Sequence, residues 1–182
     1  GESGGYGQRR AAGQGVMEMQ RPIRLPALLL SIIGCEAVGI LGTIPTSQGL
    51  KTWYPALEKP PYNPPNAIFG PVWTLLYALM GAALYTATMH REGDEADVRA
   101  ARALFGTQLA LNAIWSWLFF GRRSPLAALI EVGALWIAIA LTIRAFARLS
   151  RTAALLLVPY LAWVTFASVL NFGIWRGNRP GA

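Results

Sequence analysis

Five long apolar stretches alternate with polar connections along the chain. They run from Leu25 to Thr46, Ala67 to His90, Val98 to Phe120, Leu126 to Phe146 and Thr152 to Trp175. Each is close to the ~20 residues that cross ~30 Å of hydrocarbon. Lipid offers no partners to peptide groups, so each stretch predicts a helix. The connections Arg91 to Asp97, Gly121 to Pro125 and Ala147 to Arg151 are short. Short links join antiparallel neighbours, which predicts one compact up-down bundle. No internal repeat is visible. The pattern therefore predicts an all-α membrane protein, a five-transmembrane-helix bundle with a long Pro-rich loop between helices 1 and 2. Residues 21–178 form its single domain, flanked by tails at 1–20 and 179–182. Pro71 falls in the first turn of the second stretch, where a missing N–H costs little. Pro159 lies inside the fifth and predicts a kink.

Composition fits that reading. Only 14% of the 182 residues are charged, 54% are hydrophobic, and the mean hydropathy is +0.38. A soluble domain carries roughly 25% charged residues to coat itself. The net charge of +7 comes from 16 Lys and Arg against 9 Asp and Glu. These cations lie between the apolar runs rather than along one helix face, as in membrane loops, and no nucleic-acid partner is expected. Ten fall on one side (Arg9, Arg10, Arg21, Arg24, Arg91, Arg99, Arg102, Arg144, Arg148, Arg151) and six on the other (Lys51, Lys59, Arg122, Arg123, Arg176, Arg179). This asymmetry predicts a cytoplasmic N terminus with the long loop outside. Length and arginine usage suggest a bacterial cell membrane.

The first residues, GESGGYGQRRAAGQG, are Gly-rich and aperiodic, and read as a disordered tail or cloning remnant, with Met17 or Met19 as alternative natural starts. The first apolar run has no A-x-A-like cleavage site and reads as a retained helix. Cys35 is the only cysteine and His90 the only histidine. No intrachain disulfide is possible, a Cys/His metal site is excluded, and any Ser-His-Asp site would need His90.

The long connection, Ser47 to Asn66, holds Pro55, Pro60, Pro61, Pro64 and Pro65 together with Trp53, Tyr54 and Tyr62. Proline fixes φ and disfavours helix before it, so the loop is stiff and extended. It reads either as an aromatic belt at the headgroups or as a lid over the bundle mouth. Within the spans, Trp73, Tyr77, Gly81 and Tyr85 share one face of the second helix. Gln108, Asn112, Trp115 and Phe119 do so on the third, and Trp163, Phe166, Ala167, Leu170 and Asn171 on the fifth. Amides alone read as interhelical glue. So many tryptophans beside them suit a pocket for a flat, largely apolar ligand. Glu36 and Glu131 sit at membrane depth, paired with each other, paired with an arginine, or protonated. Gly106 and Ala110, with Ala103 and Ala113, form a small-residue face that packs within the bundle or seams a homodimer.

The loop motif W-Y-P-A-L-E-K-P-P-Y-N-P-P from Trp53 and F-G-P-V-W-T-L-L-Y from Phe69 resemble the TspO/MBR family signature. So do Q-L-A-L-N-A-I-W from Gln108, F-F-G from Phe119, P-Y-L-A-W from Pro159 and L-N-F-G-I-W-R from Leu170. The resemblance covers nearly everything from Leu25 to Asn178. It implies a five-helix bundle, commonly dimeric, that binds porphyrins such as protoporphyrin IX and haem, sterols and benzodiazepine-type ligands. No cofactor is obligatory. It implies a sensory or regulatory role, with light- or ROS-dependent porphyrin breakdown or porphyrin transport as alternatives. Trp73 and Trp163 would be the tryptophans of that breakdown, and hence the catalytic candidates. Asn112 would be the pocket amide, Ala167 and Leu170 would line the fifth helix, and Tyr54, Pro64 and Pro65 would belong to the lid. With Tyr62, Tyr77 and Trp115 from the aromatic faces, these are the candidate ligand-binding residues. Two positions depart from the family pattern. Tyr62 stands where many relatives have tryptophan, and Phe172 where the sterol-associated motif has tyrosine.

Overall fold

The computed structural model describes residues 22–89, 91 and 93–179. The Gly-rich N-terminal tail with Met17 and Met19, His90, and the last three residues lie outside the described residues. Helix α1 spans Leu25–Thr52, α2 Asn66–Met89, α3 Glu95–Ser116 and α4 Pro125–Leu149. The fifth crossing is two helices in line, α5 Arg151–Leu156 and α6 Val158–Gly177. Five segments are thus long and apolar enough to cross a membrane, and the chain is an integral membrane protein.

The break at Leu157 is the expected effect of Pro159. Proline supplies no N–H and its ring presses on the carbonyl four residues earlier. Two other prolines lie inside helices, Pro71 deeper than the first turn expected for it. Pro71 lies a full turn inside α2, because that helix already begins at Asn66. Pro45 is buried inside α1, which continues six residues past the expected end at Thr46. In this apolar setting Thr46, Thr52 and their like donate their hydroxyls back to the helix (Thr46 Oγ1 to Gly42 O at 2.7 Å), so the turn from Ser47 to Thr52 stays helical. The inter-helix loop is correspondingly shorter, from Trp53 to Pro65, and begins with a tight turn at Tyr54–Ala56.

Caps fix the other ends. Asp94 accepts from the Asp97 amide at 2.8 Å, Ser124 from Ala127 and Ser150 from Ala153. Each satisfies an amide left orphan at a helix start. Between α3 and α4 the chain widens into a π-type turn at Trp117–Gly121, where Arg122 donates to the Trp117 carbonyl at 2.8 Å. That extra width turns Phe119 and Phe120 towards the bundle interior.

Backbone meets backbone where α1 packs on α2. Ser31 Oγ donates to Gly81 O at 2.8 Å. A Cβ on Gly81 would stand 2.4 Å from the Ile32 Cα, so glycine is required there. The small-residue face of α3 behaves otherwise. Ala103, Gly106 and Ala110 are exposed, and a Cβ on Gly106 would meet nothing within 4 Å. Packing within the bundle is therefore not their role.

Candidate ligand-binding site

A cavity of about 540 Å³ lies inside the half of the bundle nearest the Trp53–Pro65 loop. Small-molecule sites commonly enclose roughly 300–1,000 Å³. All five crossings contribute to its wall. From α2 come Phe69, Trp73 and Tyr77, from α3 Asn112, Trp115 and Phe119, and from α6 Trp163, Ala167 and Leu170. Tyr54 closes it from the loop.

The wall is mostly π surface, held by ring-on-ring contact. Trp115 stacks on Phe119 with centroids 5.0 Å apart. Trp73 meets Tyr77 at 5.7 Å and Tyr160 at 6.3 Å. Phe69 meets Trp163 edge-on at 6.0 Å. Among the described residues the Trp163 indole N–H is buried and has no hydrogen-bond partner.

One polar network crosses this apolar interior. Tyr77 donates its hydroxyl to Asn112 Oδ1 at 2.5 Å, and Asn112 Nδ2 donates to the Tyr160 hydroxyl at 2.8 Å. Asn112 thereby ties α2 and α6 to α3. Asn171 does similar work nearer the loop, accepting from Trp115 Nε1 at 3.2 Å and donating to Pro125 O at 2.8 Å. Interhelical glue and pocket wall, which read as alternatives in the sequence, are thus the same residues at Asn112 and Asn171.

The loop is pinned over α6. Asn178 Nδ2 donates to Glu58 O at 2.9 Å, and the Glu58 amide donates to Asn178 Oδ1 at 3.0 Å. Tyr62 and Pro60 pack on Gly173, where a Cβ would meet the Tyr62 hydroxyl at 2.6 Å. Tyr54 is buried and donates to Asn63 Oδ1 at 2.6 Å. Burial pushes its phenol above the usual range, and the Asn63 hydrogen bond offsets part of that. Tyr54 therefore stays a neutral donor at physiological pH.

Of the candidate residues, Tyr54, Trp73, Tyr77, Asn112, Trp115, Trp163, Ala167 and Leu170 converge on the cavity. Tyr62, Pro64 and Pro65 stand outside its wall. Tyr62 is 47% exposed and holds the loop to α6 instead. The aromatic faces also divide. Gly81 and Tyr85 belong to the far end of the bundle, where the Tyr85 hydroxyl accepts from the Arg24 amide at 2.7 Å. Gln108 is buried against Met80 of α2, its Nε2 3.8 Å from the sulfur. Phe166 packs on Trp163 at 5.5 Å rather than facing the cavity.

One wall went unread in the sequence. Helix α1 lines the cavity with Glu36, Gly39, Ile40, Thr43, Thr46 and Leu50. Glu36, Gly39, Thr43, Thr46 and Leu50 fall three or four apart, on one helix face, with Ile40 beside Gly39. The small and hydroxyl side chains of Gly39, Thr43 and Thr46 were the available signal, and this face carries none of the aromatic weight that marks α2, α3 and α6. Ile40 lines the cavity yet is 62% exposed, so it stands at an opening of the wall. The two carboxylates part company. Glu36 faces the cavity, while both oxygens of Glu131 are buried without a hydrogen-bond partner among the described residues. Neither forms an ion pair with a described residue.

Five crossings around an aromatic internal cavity define a polytopic membrane protein built round a small-molecule-sized chamber. The model of the TspO/MBR family matches residues 31–176, and the chain belongs to that family. It is 48% identical over 151 residues to the tryptophan-rich protein TspO of Archaeoglobus fulgidus, covering 83% of this chain and 96% of that protein. The human translocator protein is 40% identical over 132 residues, 72% of this chain and 78% of its own length. The tryptophan-rich sensory protein of Cereibacter sphaeroides is 41% identical over 133 residues, 71% of this chain and 80% of its own.

Proposed function

We propose that the chain binds a porphyrin-type molecule in this cavity and acts as a membrane sensory or regulatory protein. The observation that carries the reading is the wall itself: three indoles and a ring of Phe and Tyr around about 540 Å³. Flat π systems gain most from such a surface, and the few polar groups orient them. Haem and metal-free protoporphyrin IX share that flat core. Benzodiazepine-type ligands offer a smaller one. Sterol-like ligands fit less well in one respect: Phe172 is exposed beside Trp175 and has no hydroxyl to offer. A homodimer through the exposed Gly106 face of α3 belongs to the same proposal.

Protoporphyrin IX titrated into the detergent-solubilised chain should quench tryptophan fluorescence to a plateau at one porphyrin per chain. Unchanged fluorescence at micromolar porphyrin would overturn the reading.

A second reading, porphyrin breakdown under light, draws support from Trp73. Its indole contacts the phenols of both Tyr77 and Tyr160, which suits a side chain that must be oxidised and restored. Illumination should bleach bound porphyrin in the wild type and spare it in Trp73→Phe and Trp163→Phe. Equal bleaching in all three proteins would remove this reading and leave the binding proposal standing.

A further inference from the structure

At the end of the bundle away from the cavity, α3 and α4 leave a second, smaller cleft of about 170 Å³. Its floor is apolar, made by Ala100, Leu104, Leu141 and Ala145. Its rim carries Asp97, Arg144 and Arg148. Arg144 and Arg148 are one turn apart on α4, on the same face. Both are exposed, and neither is in an ion pair with a described residue. The Asp97 carboxylate is the single acid on the rim, so two guanidiniums outnumber it. Around this end exposed Arg99, Arg102 and Arg151 outnumber the exposed acids Asp94 and Glu95 among the described residues.

The layering runs in one direction. The charges lie near the helix ends, at the water side. Leu104 and Leu141 lie deeper, and Leu141 is exposed to whatever surrounds the bundle. In a membrane, that surrounding is acyl chain. Basic pockets between crossing helices are the usual place where lipid phosphates are held. A guanidinium pairs with phosphate oxygens through two N–H groups at once.

We propose that the α3–α4 cleft is a binding site for an anionic phospholipid. Arg144 and Arg148 hold the phosphate, and the first methylenes of one acyl chain lie on Leu104 and Leu141. A soluble phosphate would use the rim and leave the apolar floor idle, which is why a lipid is the occupant. The loop-charge asymmetry of the sequence favours this end at the cytoplasmic leaflet, where anionic lipids concentrate. The site is independent of whatever fills the larger cavity.

Native mass spectrometry and thermal melting of the full chain in a neutral detergent test the proposal, with phosphatidylglycerol, phosphatidylcholine and glycerol phosphate as separate additions. Phosphatidylglycerol should bind and raise the melting temperature, and the other two should not. Arg144→Gln with Arg148→Gln should weaken phosphatidylglycerol about tenfold or more. It should leave the melting temperature without lipid unchanged. Arg99→Gln with Arg102→Gln, which removes as much charge outside the cleft, should bind lipid nearly as the wild type does. Ala145→Leu fills the floor while keeping both arginines and should also weaken the lipid. Equal binding of phosphatidylcholine, an equal response to glycerol phosphate, or equal loss in the Arg99/Arg102 control would each overturn the proposal.

Discussion

Replacing Gly81 by leucine should leave α1 and α2 unable to dock. A Cβ at this position stands 2.4 Å from Ile32 Cα, 2.7 Å from its amide nitrogen and 2.9 Å from Ser31 O. All three are backbone atoms, so no rotamer change relieves the overlap. The helices must separate, and the Ser31 to Gly81 hydrogen bond goes with them. Overpacking of this kind costs about 1–3 kcal/mol where side chains can yield, and more where they cannot. Expected results are a large drop in melting temperature and aggregation of the solubilised chain at temperatures the wild type tolerates. Gly106→Leu is the matched control. The new side chain there has open space around it, and the fold of the single chain should be nearly unaffected. Equal melting temperatures for Gly81→Leu and the wild type would show that the α1–α2 seam is not as close as described.

The second large effect is expected at Asn112. It accepts from Tyr77 and donates to Tyr160, and all three side chains are buried. Asn112→Leu strands the Tyr77 hydroxyl as a donor and deprives Tyr160 of its partner. A buried polar group left unpaired costs about 1–3 kcal/mol, whereas removing every partner together is close to neutral. Asn112→Leu should therefore melt well below the wild type. Adding Tyr77→Phe and Tyr160→Phe to it should restore most of the loss. A triple variant less stable than Asn112→Leu alone would show that the hydroxyls serve something other than this network.

Which features were legible follows from which forces act where. The crossings were visible because lipid leaves a peptide group no partner outside a helix, and hydropathy reports that directly. Their ends were less visible. Helix α1 runs to Thr52 through Ser47, Gln48 and Lys51, residues that hydropathy alone assigns to a loop. Aromatic side chains at helical spacing marked Trp73, Tyr77, Trp115 and Trp163, because large rings make up most of the cavity wall. The same spacing overreached at Gly81, Tyr85, Gln108 and Phe166. A helix face continues past the end of a cavity, and periodicity carries no depth. The loop motif drew attention to Tyr62, Pro64 and Pro65, which stand outside the cavity wall, Tyr62 packing on Gly173 of α6. Glu36, Gly39 and Thr43 were missed as cavity wall for the opposite reason: small residues make room, and their contribution is the space beside them.

We propose the aromatic cavity as the place where a porphyrin-type ligand binds. Ala167 lines that cavity from α6. Ala167→Trp would fill part of it with an indole while leaving Asn112, Tyr77, Tyr160 and Gly81 themselves unchanged. The most direct measurement is the protoporphyrin IX dissociation constant of the Ala167→Trp chain against the wild type, at matched melting temperature. Binding should weaken by about tenfold or more, which corresponds to at least ~1.4 kcal/mol. An unchanged dissociation constant in a well-folded Ala167→Trp protein would contradict it and move the porphyrin to another surface of the molecule.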